Sequence, residues 1–209
     1  MAVVRIKHPF DHGPGHDREA WDKVDSAALR LRTGGSRNRV GRIRTGLRPD
    51  GKSAHVEPVD VAGVAGFGVR NQSGGVATGD GGNQWTEMVI GPPSVFGFAV
   101  AVQPRDPDGA WFIPAIKDET RIPVDGAVVV ARTRDGAASF QVLRDGLPQV
   151  DAFDLVLRHA LAIDGSGEHL AFGYTTGGLW ASGESAGHWE HVPGRVPAIQ
   201  AAHFRSGAR

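Results

Sequence analysis

The chain has 209 residues, 40% of them hydrophobic, with 30 Gly, 13 Pro and no Cys. The missing cysteine excludes a disulfide framework, a thiolate nucleophile and a cysteine-ligated metal, while the Gly and Pro content suits a turn-rich all-β fold. Formal charge is zero, but residues 1–60 hold 12 Lys/Arg against 8 Asp/Glu and residues 61–209 hold 11 against 15, a split too mild to call for a nucleic-acid partner.

No apolar run approaches the length of a membrane span. The N-terminus also lacks the basic-then-apolar layout of a signal peptide, so a soluble cytoplasmic protein with no membrane partner is expected.

The chain opens with His8, Asp11, His12, His16 and Asp17. Helical spacing could make two of the histidines metal ligands, but Pro9, Gly13, Pro14 and Gly15 oppose a helix, so a histidine-bearing tail with no metal is expected. Asp17 to Arg32 reads as a helix, with Asp17 as N-cap and Trp21, Val24, Ala28 and Leu31 at helical spacing. Gly34-Gly35 ends it.

Arg37, Arg39, Arg42, Arg44, Arg48 and Lys52 follow, with Asp50 the one acid among them. They read either as a solvated linker or as an arm for an acidic partner. The absence of interleaved aromatics favours the linker and makes nucleic acid an unlooked-for partner. Residues 1–60 thus form an irregular, partly helical, basic segment, and a truncated gene or shifted reading frame would also produce such a stretch.

From residue 61 the chain becomes short apolar runs cut by Gly, Pro and Asp. Thr78-Gly79-Asp80-Gly81-Gly82-Asn83-Gln84-Trp85 carries a hydroxyl, a carboxylate two residues on, a glycine and then an aromatic. That order builds a tight turn: the side-chain oxygens bond the turn backbone, glycine accepts positive φ, and the aromatic enters the core. Thr133-Arg134-Asp135-Gly136-Ala137-Ala138-Ser139-Phe140 repeats it with Ala137 for the glycine. Ser182-Gly183-Glu184-Ser185-Ala186-Gly187-His188-Trp189 keeps the hydroxyl and the aromatic. The motif starts lie 55 and then 49 residues apart, a spacing that fits propeller blades.

The strands between the motifs follow one order. Phe98–Val102 is almost continuously apolar, as an innermost strand buried on both faces should be. Ala110–Ile113, Ala127–Arg132 and Phe140–Leu143 complete that unit. Ala160–Ile163, Leu170–Gly173, Leu179–Ser182 and Trp189–Val192 repeat the order, and Ile199–Phe204 begins another unit.

These three motifs resemble the Asp-box, or BNR repeat, of sialidase-like β-propellers, and the sequence from about Ser94 to Phe204 looks like the C-terminal blades of bacterial glycosyl-hydrolase-like BNR proteins. The resemblance implies an all-β, partial propeller of about three four-stranded blades over residues 61–209. It also implies structural roles for Thr78, Asp80, Gly82, Trp85, Thr133, Asp135, Phe140, Ser182, Glu184 and Trp189, on the face opposite the active site. Closed propellers need about four to eight blades. Truncation, assembly with another copy through open blade edges, or a degenerate blade hidden in the N-terminal segment would each account for the shortfall, and truncation is favoured.

Opposite the Asp-box turns lie loops 114–126, 144–159 and 173–178. They bring Lys117, Asp118, Glu119, Arg121, Asp151, Asp154, Arg158, His159, Tyr174, Thr175 and Thr176 to one rim. Two readings follow. One is a binding module that offers Lys117, Arg121, Arg158, His159 and Tyr174 to a glycan or protein, without cofactor. The other is a glycoside hydrolase with Asp118 or Glu119 paired with Asp151 or Asp154. Arg121-Ile122-Pro123 matches the sialidase R-I-P motif in letters but sits in the wrong register to the next Asp-box. With Tyr174 the sole tyrosine, the sialidase arginine triad and Tyr/Glu pair cannot be assembled from this sequence.

Overall fold

Short apolar runs separated by turn residues become strands, and nearly every strand pairs with its neighbour in sequence. The structure, a computed structural model, describes residues 3–7, 22–23, 55–58, 66–70, 74–78 and 86–88 as strands, and residues 93–205 apart from 95, 107, 118, 184, 185 and 195. The chain divides into two compact units, Asn38–Phe153 and Met1–Arg37 with Asp154–Arg209.

The unit of residues 38–153 holds two antiparallel meanders. Strands β3 (His55–Pro58), β4 (Gly66–Arg70), β5 (Gly74–Thr78) and β6 (Thr86–Met88) pair in sequence order. Strands β7 (Phe96–Val102), β8 (Ala110–Ala115), β9 (Val130–Thr133) and β10 (Gln141–Leu143) do the same. Every residue of β7 and β8 is buried, which explains their unbroken apolar sequence: a strand covered on both faces has no solvent side to make polar. Val100, Val102, Ala110, Phe112 and Ala131 form the core, with Ala137 and Phe140 packed against it. Phe112 is fully buried, and its burial is worth about 1.5–3 kcal/mol relative to exposure.

The other unit contains a third meander: β11 (Val156–Ile163), β12 (Leu170–Tyr174), β13 (Leu179–Gly183) and β14 (His188–Val192). Phe172 anchors its core, with Trp189 at 4.9 Å and Tyr174 at 5.4 Å between ring centroids. A fifth strand, β15 (Ala201–Arg205), meets β11 in parallel at His159↔Ala201. Parallel approach is the relation expected between the innermost strands of successive blades, so the strand anticipated near Ile199–Phe204 does begin a further group. The chain's own N-terminus continues that group: β1 (Val3–Lys7) pairs antiparallel with all of β15, from Val3↔Arg205 to Lys7↔Ala201, and β2 (Asp22–Lys23) pairs with β1.

The architecture is an all-β partial propeller; among the described residues it has three four-stranded meanders, with a further three-stranded group drawn from both chain ends. Two local expectations change. The helix expected over Asp17–Arg32 meets a strand at Asp22–Lys23, the described part of that stretch, because backbone pairing with β1 outweighs a weak helical propensity. Strand pairing also starts before residue 61: β3 gives the Gly-rich β4 a ladder that its own sequence signals poorly. No helix among the described residues is long and apolar enough to cross a membrane.

Candidate ligand-binding rim

An antiparallel meander places its second-to-third connection at the end opposite its third-to-fourth turn. The turn at 133–140 lies at one end of its sheet. Thr133 Oγ1 donates to Asp135 Oδ1 (2.9 Å) and accepts from the Ala137 amide (2.9 Å). Asp135 also accepts from the Ser139 amide (2.9 Å) and hydroxyl (2.5 Å). These bonds, from Ser139 first and then Thr133, hold the Asp135 carboxyl below the usual carboxylate range. Phe140 stands edge-on to Phe112 at 5.9 Å. Asp135 therefore serves the turn.

In the turn at 182–189, buried Ser182 donates to the carbonyls of Gly183 (2.9 Å) and His188, and Trp189 is fully buried against Phe172. Glu184 lies outside the described residues, as do Asp80, Gly82, Trp85 and the side chain of Thr78.

At the other end of the β7–β10 sheet, the β8–β9 loop folds back on itself. The amide of Ile116 donates to Ile122, and Lys117 and Thr120 exchange backbone bonds at 3.3 and 3.1 Å. Asp118 lies outside the described residues. Glu119 is 77% exposed and meets Lys117 Nζ at 3.9 Å. Arg121 turns back instead, its guanidinium 5.2 Å from the Phe98 ring centroid. The same loop is strapped to the segment after β10. Val128 N donates to Pro148 O, Ala152 N to Gly126 O, and Gln149 Nε2 to Val128 O, each at 2.9 Å. Asp151 is exposed on that segment.

The unit containing residues 154–209 repeats the arrangement. Thr175 N donates to Leu155 O (3.0 Å), and Thr176 Oγ1 to Asp154 Oδ1 (2.8 Å). Gly177, at φ +92°, lies so close to the Val196 carbonyl that any Cβ would collide with it. Tyr174 is 4% exposed, between Phe172 and Trp180, and its hydroxyl has no hydrogen-bond partner. Burial, and then the Asp154 charge, push its phenol well above the ordinary value. Tyr174 thus sits under the rim rather than on it. Arg158 is half-buried and His159 exposed, both on β11.

Sequence reasoning missed one cluster. It lies in the Asp164-Gly165-Ser166-Gly167 turn between β11 and β12. Asp164 Oδ1 accepts from Ser166 Oγ (2.6 Å) and from the amides of Gly167, Glu168 and His169 (3.0, 3.3 and 3.3 Å), while Oδ2 meets His169 Nδ1 at 3.1 Å. Both side chains are buried. Burial alone would raise the Asp164 pKa; the bonds from Ser166 and His169 prevail and lower it. An Asp with Ser two residues on signals the turn, but nothing local signals the histidine.

Among the described residues no group of three His, Asp or Glu side chains could hold a metal. His8, His12, His16 and the arginines from Arg37 to Arg48 lie outside the described residues.

No family model matches the chain, nor does any curated protein. Among solved structures it is similar to an ancestral GH74 enzyme, with TM-score 0.49, 14% identity, and 66% of this chain and 18% of that one covered. The GH74 enzyme of Niastella koreensis gives 0.49, 15%, 68% and 21%. YCF48 bound to D1 peptide gives 0.46, 12%, 70% and 44%. The chain spans about a fifth of the length of the two GH74 enzymes and less than half of that of YCF48.

Proposed function

We propose that the chain is a non-catalytic binding module, a relative of Asp-box propellers, which presents loops 114–126, 144–159 and 173–178 to a glycan or protein. The observation that carries this reading is the condition of the rim carboxylates. Glu119 rides a hairpin tip in solvent, and its ion pair among the described residues is a long contact with Lys117, itself 61% exposed. Asp154 is held by Thr176, so one of its oxygens already serves the loop. A glycosidase instead fixes two carboxyl groups about 5–9.5 Å apart across its substrate, which demands restraint on both. Exposed ion pairs such as Lys117–Glu119 contribute about 0–1 kcal/mol and cannot supply that restraint.

The test is turnover of a panel of aryl glycosides beside binding to glycan and peptide arrays. Binding without turnover is expected. Hydrolysis that is abolished by Glu119→Gln or Asp154→Asn would overturn the reading.

A further inference from the structure

Two aspartates near the rim of the residue 38–153 unit adopt left-handed backbone, Asp125 at φ 56° and Asp151 at φ 53°. Between them lies Gly126, also left-handed. A Cβ there would meet Asp151 N at 3.5 Å and Phe153 Cε1 at 3.6 Å, and the Gly126 carbonyl accepts from the Ala152 amide at 2.9 Å. The Val124–Gly126 turn and residues 150–153 thus form one surface.

That surface exposes two large apolar side chains. Phe153 is 59% exposed and Val150 76%, two of the three exposed large hydrophobics among the described residues. Asp125, next to Gly126, and Asp151, next to Val150, belong to the same two segments; both are exposed, and neither carboxylate has a partner among the described residues. The cation on the adjoining segment, Arg144, is turned to Gln149 Oε1 at 3.2 Å.

An exposed aromatic ring on a surface that carries two unpaired carboxylates favours a ligand that is both flat and cationic. A guanidinium stacks on the ring and donates in a fork to carboxylate oxygens. An ammonium shares the charge but lacks the planar fork. A neutral sugar could use the ring and the oxygens, yet would leave two neighbouring negative charges uncompensated. We infer that Phe153 and Val150, together with Asp125 and Asp151, form a docking surface for an arginine-bearing segment of a partner protein, with an apolar residue beside the arginine seated on Val150. The inference rests on the binding-module reading and names the chemistry of its partner.

Fluorescence anisotropy with a labelled peptide of three Gly-Arg-Leu repeats tests it, beside counterparts with Lys or Glu in place of Arg and a glycan array. The arginine peptide should bind, the lysine peptide more weakly and the glutamate peptide not at all, and added salt should weaken binding. Phe153→Ala should weaken it by about tenfold or more. The double substitution Asp125→Asn, Asp151→Asn should do likewise. Asn tolerates left-handed backbone as Asp does, so that variant removes charge and keeps the turn, which thermal melts verify. Equal binding of the glutamate peptide, or affinity untouched by either variant, would overturn the docking surface. Glycan binding without peptide binding would overturn it while leaving the binding module standing, and loss of both would overturn both.

Discussion

Asp135 and Asp164 each gather the donors of one turn, but in different surroundings. Asp135 is exposed and accepts from Thr133 and Ser139. Asp164 is 5% exposed and accepts from Ser166, three amides and the His169 ring. The buried turn has more to lose, because donors stripped of their acceptor inside the protein cannot turn to water. Asp164→Ala should cost about 2–3 kcal/mol at neutral pH. The pKa of Asp164 is lowered in the folded state, so its contribution is fully present above the unfolded carboxylate value near pH 4 and is lost as pH falls through the folded value. Thermal melts of the protein and of Asp164→Asn should therefore differ most near neutrality and converge below about pH 4.

At the scale of the element, two hairpin turns place alanine where glycine would be at ease. Ala137 has φ 74° and Ala186 φ 71°. The Thr133 hydroxyl, accepting from the Ala137 amide, holds the first in that conformation. Left-handed backbone costs an alanine about 1–2 kcal/mol, and a glycine recovers this less about 0.4–1 kcal/mol of extra unfolded-state entropy. Ala137 is half-buried against the Phe112 core, so Ala137→Gly should stabilise modestly, by about 0.5 kcal/mol. Ala186 is fully buried, and deleting its methyl forfeits about 0.8 kcal/mol more. Ala186→Gly should be neutral or destabilising. Denaturant midpoints of the two variants check the contrast, which separates backbone strain from packing.

On the scale of the whole molecule, the chain ends meet. Strand β1 covers β15 over five residue pairs, and removing residues 1–7 would leave the outer edge of β15 without its partner. Unpaired edges cost stability and invite association. The shortened chain should melt lower, lose hydrogen-exchange protection at residues 201–205, and self-associate at concentrations where the full chain does not. Unchanged protection there would show that β15 does not depend on β1.

The sequence by itself determined the second and third meanders, because their signals are local. The apolar run Phe98–Val102 demands cover on both faces, and the hydroxyl–carboxylate–aromatic order of Thr133, Asp135 and Phe140 specifies a turn whose donors and acceptors lie within eight residues. The rim loops followed from strand order alone. Tertiary structure decided what depends on residues far apart or on burial. The pairing of Val3–Lys7 with Ala201–Arg205 joins opposite ends of the chain and leaves no periodicity in either. Tyr174, expected on the rim, becomes core because Phe172 and Trp180 close around it, and His169 becomes a partner of Asp164 only once both are buried. Phe153 and Val150 are apolar letters in a polar loop, and only the folded surface leaves them in solvent. Local hydrogen-bond geometry and apolar period are written along the chain; exposure and long-range pairing emerge when distant segments compete for the same surface.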